Sequence, residues 1–168
     1  MGINIKVKIE DREIKKLLSG LHLKAKNLRP AYKAIGEYMI IEREKLFKEE
    51  RDPDGNKWEP LKIRTLYGSY RGRKYTKKRK LNKKFQNFLA KRKILTRDGH
   101  LRRTVYKVGR GMVIIAPDKI SEDYAALHQF GGKAGRGSKA TIPARPHLGI
   151  NDENRKEFIE IIKEHLLS

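Results

Sequence analysis

Apolar and polar positions alternate strictly at the start of the chain. Ile3, Ile5, Val7 and Ile9 fall on one face, and Asn4, Lys6 and Lys8 on the other. That period of two predicts a half-buried strand. From Asp11, placed as an N-cap, the period changes. Ile14, Leu17, Leu18 and Leu21 form one stripe of a helix, weakened in its middle by Ser19-Gly20, where a break is open. A second helix starts near Arg29-Pro30, with proline in its first turn. Tyr32, Ile35, Tyr38, Met39 and Leu46 carry it to about Glu50, and this stripe reads as core packing.

"RDPDGNKW" ends that helix in a turn, with Gly55 supplying positive φ. Trp58, the single tryptophan, follows as a structural anchor at one end of the core. Leu81, Phe85, Phe88 and Leu89 lie at helical spacing and predict a basic amphipathic helix over about Thr76 to Arg92. "GSYRGRKY" before it reads as a flexible loop. "TVYKV" and "MVIIA", separated by "GRG", predict a hairpin whose second strand is buried. "SEDYAALHQFGG" predicts a short helix with Ser121 as N-cap and Gly131 and Gly132 at its end. "KAGRGSKA" reads as a flexible loop, and "TIPARPHLGI" as extended chain. Asn151 or Asp152 caps a last helix packed through Phe158, Ile161, Ile162, His165 and Leu166. Helix runs and antiparallel strands in this order predict an α+β fold: a small antiparallel sheet, helices packed on one face, and a basic helical insertion.

The 168 residues point to one domain, 1–168, with the insertion at about 64–93. The absence of cysteine excludes disulfides and thiolate metal sites. The N-terminus does not read as a signal peptide and no apolar run is long enough for a bilayer span, so a soluble protein made in the cytoplasm is expected.

Charge changes the picture most. The formal net charge is +21, which favours a polyanionic partner. Lys and Arg crowd the stretch from Arg64 to Arg110 against one acid, Asp98. Candidate polyanion or nucleic-acid contacts are Arg71, Arg73, Lys74, Lys77, Lys78, Arg79, Lys80, Lys83, Lys84, Lys91, Arg92 and Lys93. A basic amphipathic helix fits a partner groove, an anionic membrane or a nucleic-acid path.

Catalytic and metal chemistry is poorly supported. The five histidines form no H-x-x-x-H pair. Asp52, Asp54 and Asn56 have calcium-loop spacing, but the glycine falls early and no bidentate Glu follows. Asp98, His100 and Arg102 are the best nuclease-like set, and one acid and one histidine in a turn arise readily by chance. No cofactor, metal or enzymatic activity is expected.

In order, a long helix running into "FKEERDPDGNKWEPL", then "ILTRDGHLRRTV", "YAALHQFGG", "IPARPHLGI" and a C-terminal amphipathic helix resemble the phage virion morphogenesis family of tail completion proteins (phage Mu G protein-like). The resemblance implies a non-enzymatic structural protein of the virion tail or neck, present in the host cytoplasm during assembly. It implies partners among other tail, neck and connector proteins and a homo-oligomeric ring around the DNA path, with no membrane; it leaves the role of the insertion undefined, so contact with genomic DNA in the lumen and contact with an acidic protein both stay open. A free-standing nucleic-acid-binding protein is the alternative. Arg136 and Arg145, the last braced by Pro143 and Pro146, are the expected subunit interface, with Arg145 forking onto a neighbour's carboxylate; Leu81, Phe85 and Phe88 join that interface or pack on the body.

Overall fold

A computed structural model describes residues 12–135, 137 and 140–168. The expected N-terminal strand and Arg136 lie outside the described residues. The elements run α1 (Arg12–Lys26), α2 (Arg29–Glu49), α3 (Ile63–Ser69), α4 (Lys83–Lys91), β1 (Thr104–Gly109), β2 (Met112–Pro117), α5 (Glu122–Phe130), β3 (Gly132–Ala134), β4 (Ala140–Ile142) and α6 (Asp152–Leu167). The fold is α+β. It carries two separate two-stranded antiparallel sheets among the described residues, β1–β2 and β3–β4. Helix α1 continues through Ser19-Gly20 without a break.

Helix α2 is the spine. Ile35, Met39, Arg43 and Phe47 recur every four residues, and all four are buried. Side chains at this spacing share one helix face. The β1–β2 hairpin lies across α2, and the approach is tight because position 36 is glycine. A Cβ there would stand 2.5 Å from the Tyr106 ring. The hairpin pairs Val105 with Ala116 and Lys107 with Ile114. Its outer face is open, with Met112 and Ile114 each about half exposed, so β2 is a half-buried strand and not the buried one its apolar run suggested. The β1–β2 pair has one face to cover, and α2 packs against it.

The main core gathers Phe47, Trp58, Ile94, Leu101 and Ala125. Phe47 meets the Trp58 ring edge-on at 5.2 Å, and the Trp58 indole donates to the Pro146 carbonyl at 2.8 Å. Helix α6 is capped reciprocally: Asn151 Oδ1 accepts from the Asn154 amide, and Asn154 Oδ1 from the Asn151 amide. Ser121 holds the N-cap position of α5 without capping it. Its hydroxyl donates to the Asp118 carbonyl inside a preceding 3₁₀ turn, Lys119–Ser121.

The insertion departs most from its predicted form. The helix expected over Thr76 to Arg92 is confined to α4, and residues 74–82 form a tight hairpin in front of it. That hairpin repeats the one at residues 50–58. In the first, amides donate from Asp52 to Asn56 (2.9 Å), Gly55 to Asp52 (3.0 Å) and Trp58 to Glu50 (2.8 Å). In the second, they donate from Thr76 to Lys80 (2.8 Å), Arg79 to Thr76 (3.0 Å) and Asn82 to Lys74 (2.8 Å). Each partner pair is displaced by 24 positions, as 52 to 76 and 58 to 82. Isolated bridges Arg51–Lys57 and Tyr75–Leu81 close both. Gly55 sits at φ 87° and its counterpart Arg79 at φ 59°. Each hairpin is followed by a helix, α3 after the first and α4 after the second.

"GSYRGRKY" is not simply a loop, since α3 takes in its Gly68 and Ser69. "KAGRGSKA" likewise contributes to β3 and β4.

Candidate functional site

Two regions gather the predicted site residues: the strap around "IPARPHL", and the insertion.

The strap turns inward. Arg145 was expected to reach a neighbouring subunit. Instead it is 4% exposed, and its guanidinium donates to the carbonyls of Glu59 (2.8 Å) and Pro60 (3.3 Å) of its own chain. Burial lowers its pKa. Its backbone amide donates to His128 at the end of α5 (2.7 Å). Gln129 then grips the strap with both ends of its amide. Oε1 accepts from the His147 and Leu148 amides, and Nε2 donates to the Leu148 carbonyl. Pro143 and Pro146 are half-buried on either side. The helix end and the proline-flanked arginine thus form one intramolecular clamp. Gly131, at φ 73°, makes the close turn between them: a Cβ there would meet the Ala144 nitrogen at 2.8 Å.

Arg43 completes this clamp, and sequence reasoning missed it. Its guanidinium is ringed by five acceptors: Nε donates to the His147 carbonyl, Nη2 to the Leu101 carbonyl, and Nη1 is shared among the Arg102 and Arg103 carbonyls and the Thr104 hydroxyl, at 2.6–3.2 Å. Desolvation lowers its pKa to about 10. The signal was present as a charged residue on the core stripe Ile35–Met39–Arg43–Phe47. His147 was passed over as well. It is fully buried, its ring meets Phe47 edge-on at 5.9 Å, and neither ring nitrogen has a hydrogen-bond partner. Burial, then Arg43 and His128, lower its pKa to about 3.

The insertion carries its own small core. The Phe85 ring is fully buried against Tyr67 and Tyr70, each at 4.9 Å, with Phe88 at 6.3 Å. Phe85, expected against the body or a neighbouring subunit, is covered by the insertion's own rings, and Leu81 belongs to the hairpin bridge. Phe88 is half-buried, with the Arg92 guanidinium over its ring at 5.8 Å. The unit leaves and rejoins the body at Leu61 and Ile94, both of which pack in the main core. Its exit is fastened where Lys93 donates to the Lys48 carbonyl (2.7 Å) and the Ile94 amide to Glu50 Oε1 (2.6 Å). Of the expected polyanion contacts, Lys74 and Arg92 are half-buried and the rest are exposed.

Asp98, His100 and Arg102 do not come together. Their nearest charged partners are Arg97, Asp118 and Glu44 respectively, each at 3.8–3.9 Å. Asp52 uses its carboxylate on the turn, accepting from the Asn56 amide at 2.8 Å. Among the described residues no group of three or more His, Asp or Glu is placed to hold a metal ion, and no helix is long and apolar enough to cross a membrane.

The family model of the phage virion morphogenesis family matches residues 9–167. The chain belongs to the phage virion morphogenesis family. It is 25% identical over 174 aligned positions to the "Putative capsid assembly protein G" of Escherichia phage Mu, across 99% of this chain and 96% of that protein. It is 51% identical over 45 residues to the "Mu-like prophage FluMu G protein 2" of Haemophilus influenzae, covering 27% of this chain and about a third of that protein. No solved structure matches. Membership in the virion morphogenesis family gives the chain a structural or assembly role in a phage particle.

Proposed function

We propose that this chain is a non-enzymatic subunit that completes the tail or joins tail to head, assembling as a ring around the DNA path at the tail or neck. The observation that carries the structural role is the family match over residues 9–167, with the alignment to the phage Mu protein beside it; the tail or neck placement rests on the resemblance of "FKEERDPDGNKWEPL", "YAALHQFGG" and "IPARPHLGI" to tail completion proteins. Two features support it. Arg43 and Gln129 fix the strap to α2 and α5, and the Arg145 guanidinium fixes it to Glu59 and Pro60, which ties the body together. Large apolar side chains meanwhile remain on the outside, among them Leu17, Leu18 and Leu23 of α1, Phe130, and Leu167 of α6. Exposed apolar groups of this size suit a surface that neighbouring subunits cover.

Electron microscopy of the purified particle tests the proposal. The expected result is density for this subunit as a closed ring on the particle axis, at the tail end or neck. Its absence from finished particles, or a location on the capsid shell, refutes the tail or neck placement.

The unpaired charge of the insertion favours a second reading, a free-standing nucleic-acid-binding protein. Nanomolar, sequence-selective binding by the dilute monomer would decide for it.

A further inference from the structure

We propose that the hairpin tip Thr76–Lys80, backed by α4, is a sequence-independent contact for the phosphate backbone of duplex DNA. Naming genomic DNA as the polyanion rests on the particle reading above; the binding chemistry stands on the insertion itself.

Between Lys62 and Lys93 there are fourteen Lys and Arg and no acid. A charge run is ordinarily a solvated face, so the run alone decides nothing. Three further observations do. First, these cations are left without ionic partners. The ion pairs at Lys45, Arg51, Arg97, His100, Arg102, Arg103, Arg155 and Lys163 all lie outside the insertion, and among the described residues none of its own cations is paired with an acid. Second, they stand on a folded frame. The aromatic core of Phe85, Tyr67, Tyr70 and Phe88 and the bridge at Tyr75–Leu81 fix where the tip points. A pre-ordered cation loses less entropy on binding than one on a random coil.

Third, the comparison between the two hairpins is informative. The first tip is Asp52-Pro53-Asp54-Gly55-Asn56, with glycine in the left-handed position. The second is Thr76-Lys77-Lys78-Arg79-Lys80, with arginine at φ 59° in that position. Glycine adopts this conformation freely and arginine does not. The same backbone is thus kept while Asp54 is matched by Lys78, Pro53 and Asn56 by lysines, and the favoured glycine by an arginine. Glu50 and Leu95 share this conformation, but both are half-buried, and Arg79 is the one cation held in it on an exposed turn.

Lys77, Lys78, Arg79 and Lys80 set four cations in succession, which suits the closely spaced phosphates of a duplex, with Arg79 able to fork onto one of them. The tip favours duplex over single strand, because Phe85, Phe88, Tyr67 and Tyr70 pack on one another and leave Tyr75 as the one exposed ring of the hairpin, short of the row of rings that successive bases stack on.

The test is a salt titration of the full chain binding a random-sequence duplex, read as log affinity against log salt. Three variants are compared with the natural chain: K77Q/K78Q/K80Q at the tip, K33Q/K107Q/K156Q on the body with the same change in charge, and R79G. The tip triple is expected to flatten the slope by about 0.9 for each phosphate it no longer neutralises, and the body triple to change it little. R79G is expected to neutralise one phosphate fewer while its thermal midpoint holds or rises. Equal flattening by both triples overturns the proposal, since net charge would then be the whole effect. So does unchanged binding by R79G. Polyglutamate matching the duplex in affinity at equal charge would replace DNA with an acidic protein surface. If the tip effect holds but the chain is absent from particles, the particle reading fails and the phosphate contact stands.

Discussion

Arg43 and His147, 104 residues apart, meet in the interior, where the arginine Nε donates to the histidine carbonyl at 3.0 Å. The same guanidinium holds residues 101–104 at the start of the hairpin, so one side chain ties α2, β1 and the strap together. Arg43→Met preserves much of the volume and strands several buried carbonyls. It should destabilise the isolated chain by roughly 3 kcal/mol. Arg43→Lys should recover little, since an ammonium cannot reproduce the planar fork. Urea denaturation of both variants checks this.

His147 gives stability a pH dependence. Its folded-state pKa is about 3, well below the ordinary histidine value of 6.5, because burial disfavours the charged ring. Above pH 6.5 the ring is neutral in both folded and unfolded chains and contributes no slope. As pH falls from 6.5 towards 3, only the unfolded chain takes up the proton, and stability declines by up to about 1.4 kcal/mol per pH unit. His128, also lowered by burial and by Arg145, adds in the same direction. His147→Phe should flatten the acid limb of a stability-against-pH curve. An unchanged limb assigns the effect elsewhere.

Gly36→Ala should reverse the usual rule. In a helix interior the change ordinarily stabilises by about 1 kcal/mol through backbone entropy. Here the new methyl would stand 2.5 Å from the Tyr106 ring, whose Cγ lies almost as close at 2.6 Å. The variant should lose about 1–3 kcal/mol as the hairpin is pushed off α2. Thermal unfolding reads the sign directly.

Phe85→Ala should open the insertion and spare the body. Removing a fully buried phenyl from so small a core costs about 3–5 kcal/mol locally. Trypsin should then cut rapidly within residues 71–93, while Trp58 fluorescence reports the unfolding midpoint of the natural chain. Loss of both together would mean that the two cores fold as one.

Arg145→Lys should lower stability by about 1–2 kcal/mol in the monomer, since the bonds to Glu59 and Pro60 belong to one chain. Any assembly defect should scale with that loss. A normal monomer that fails to assemble would restore the interface role expected from its flanking prolines.

Helices α2 and α6 and the β1–β2 hairpin were legible because period, caps and turn chemistry agreed. The insertion hairpin was not. Lysine and arginine favour helices, and Leu81, Phe85 and Phe88 have helical spacing, so "TKKRKL" reads as a first turn. The reversal depends on Arg79 accepting a left-handed backbone, which no propensity announces. Arg145 was misread because a proline-flanked arginine ordinarily faces water, and only the carbonyls of Glu59 and Pro60, distant in sequence, bring it inside. The buried Arg43 was readable in principle from its place among Ile35, Met39 and Phe47.

The repeated hairpin has a practical consequence. Its arm springs from Leu61 and returns at Ile94, while Phe47 and Trp58 hold their packing between those two points of attachment. Length and charge can therefore be altered out on the arm without re-solving the interior, much as a tool is exchanged on a fixed handle.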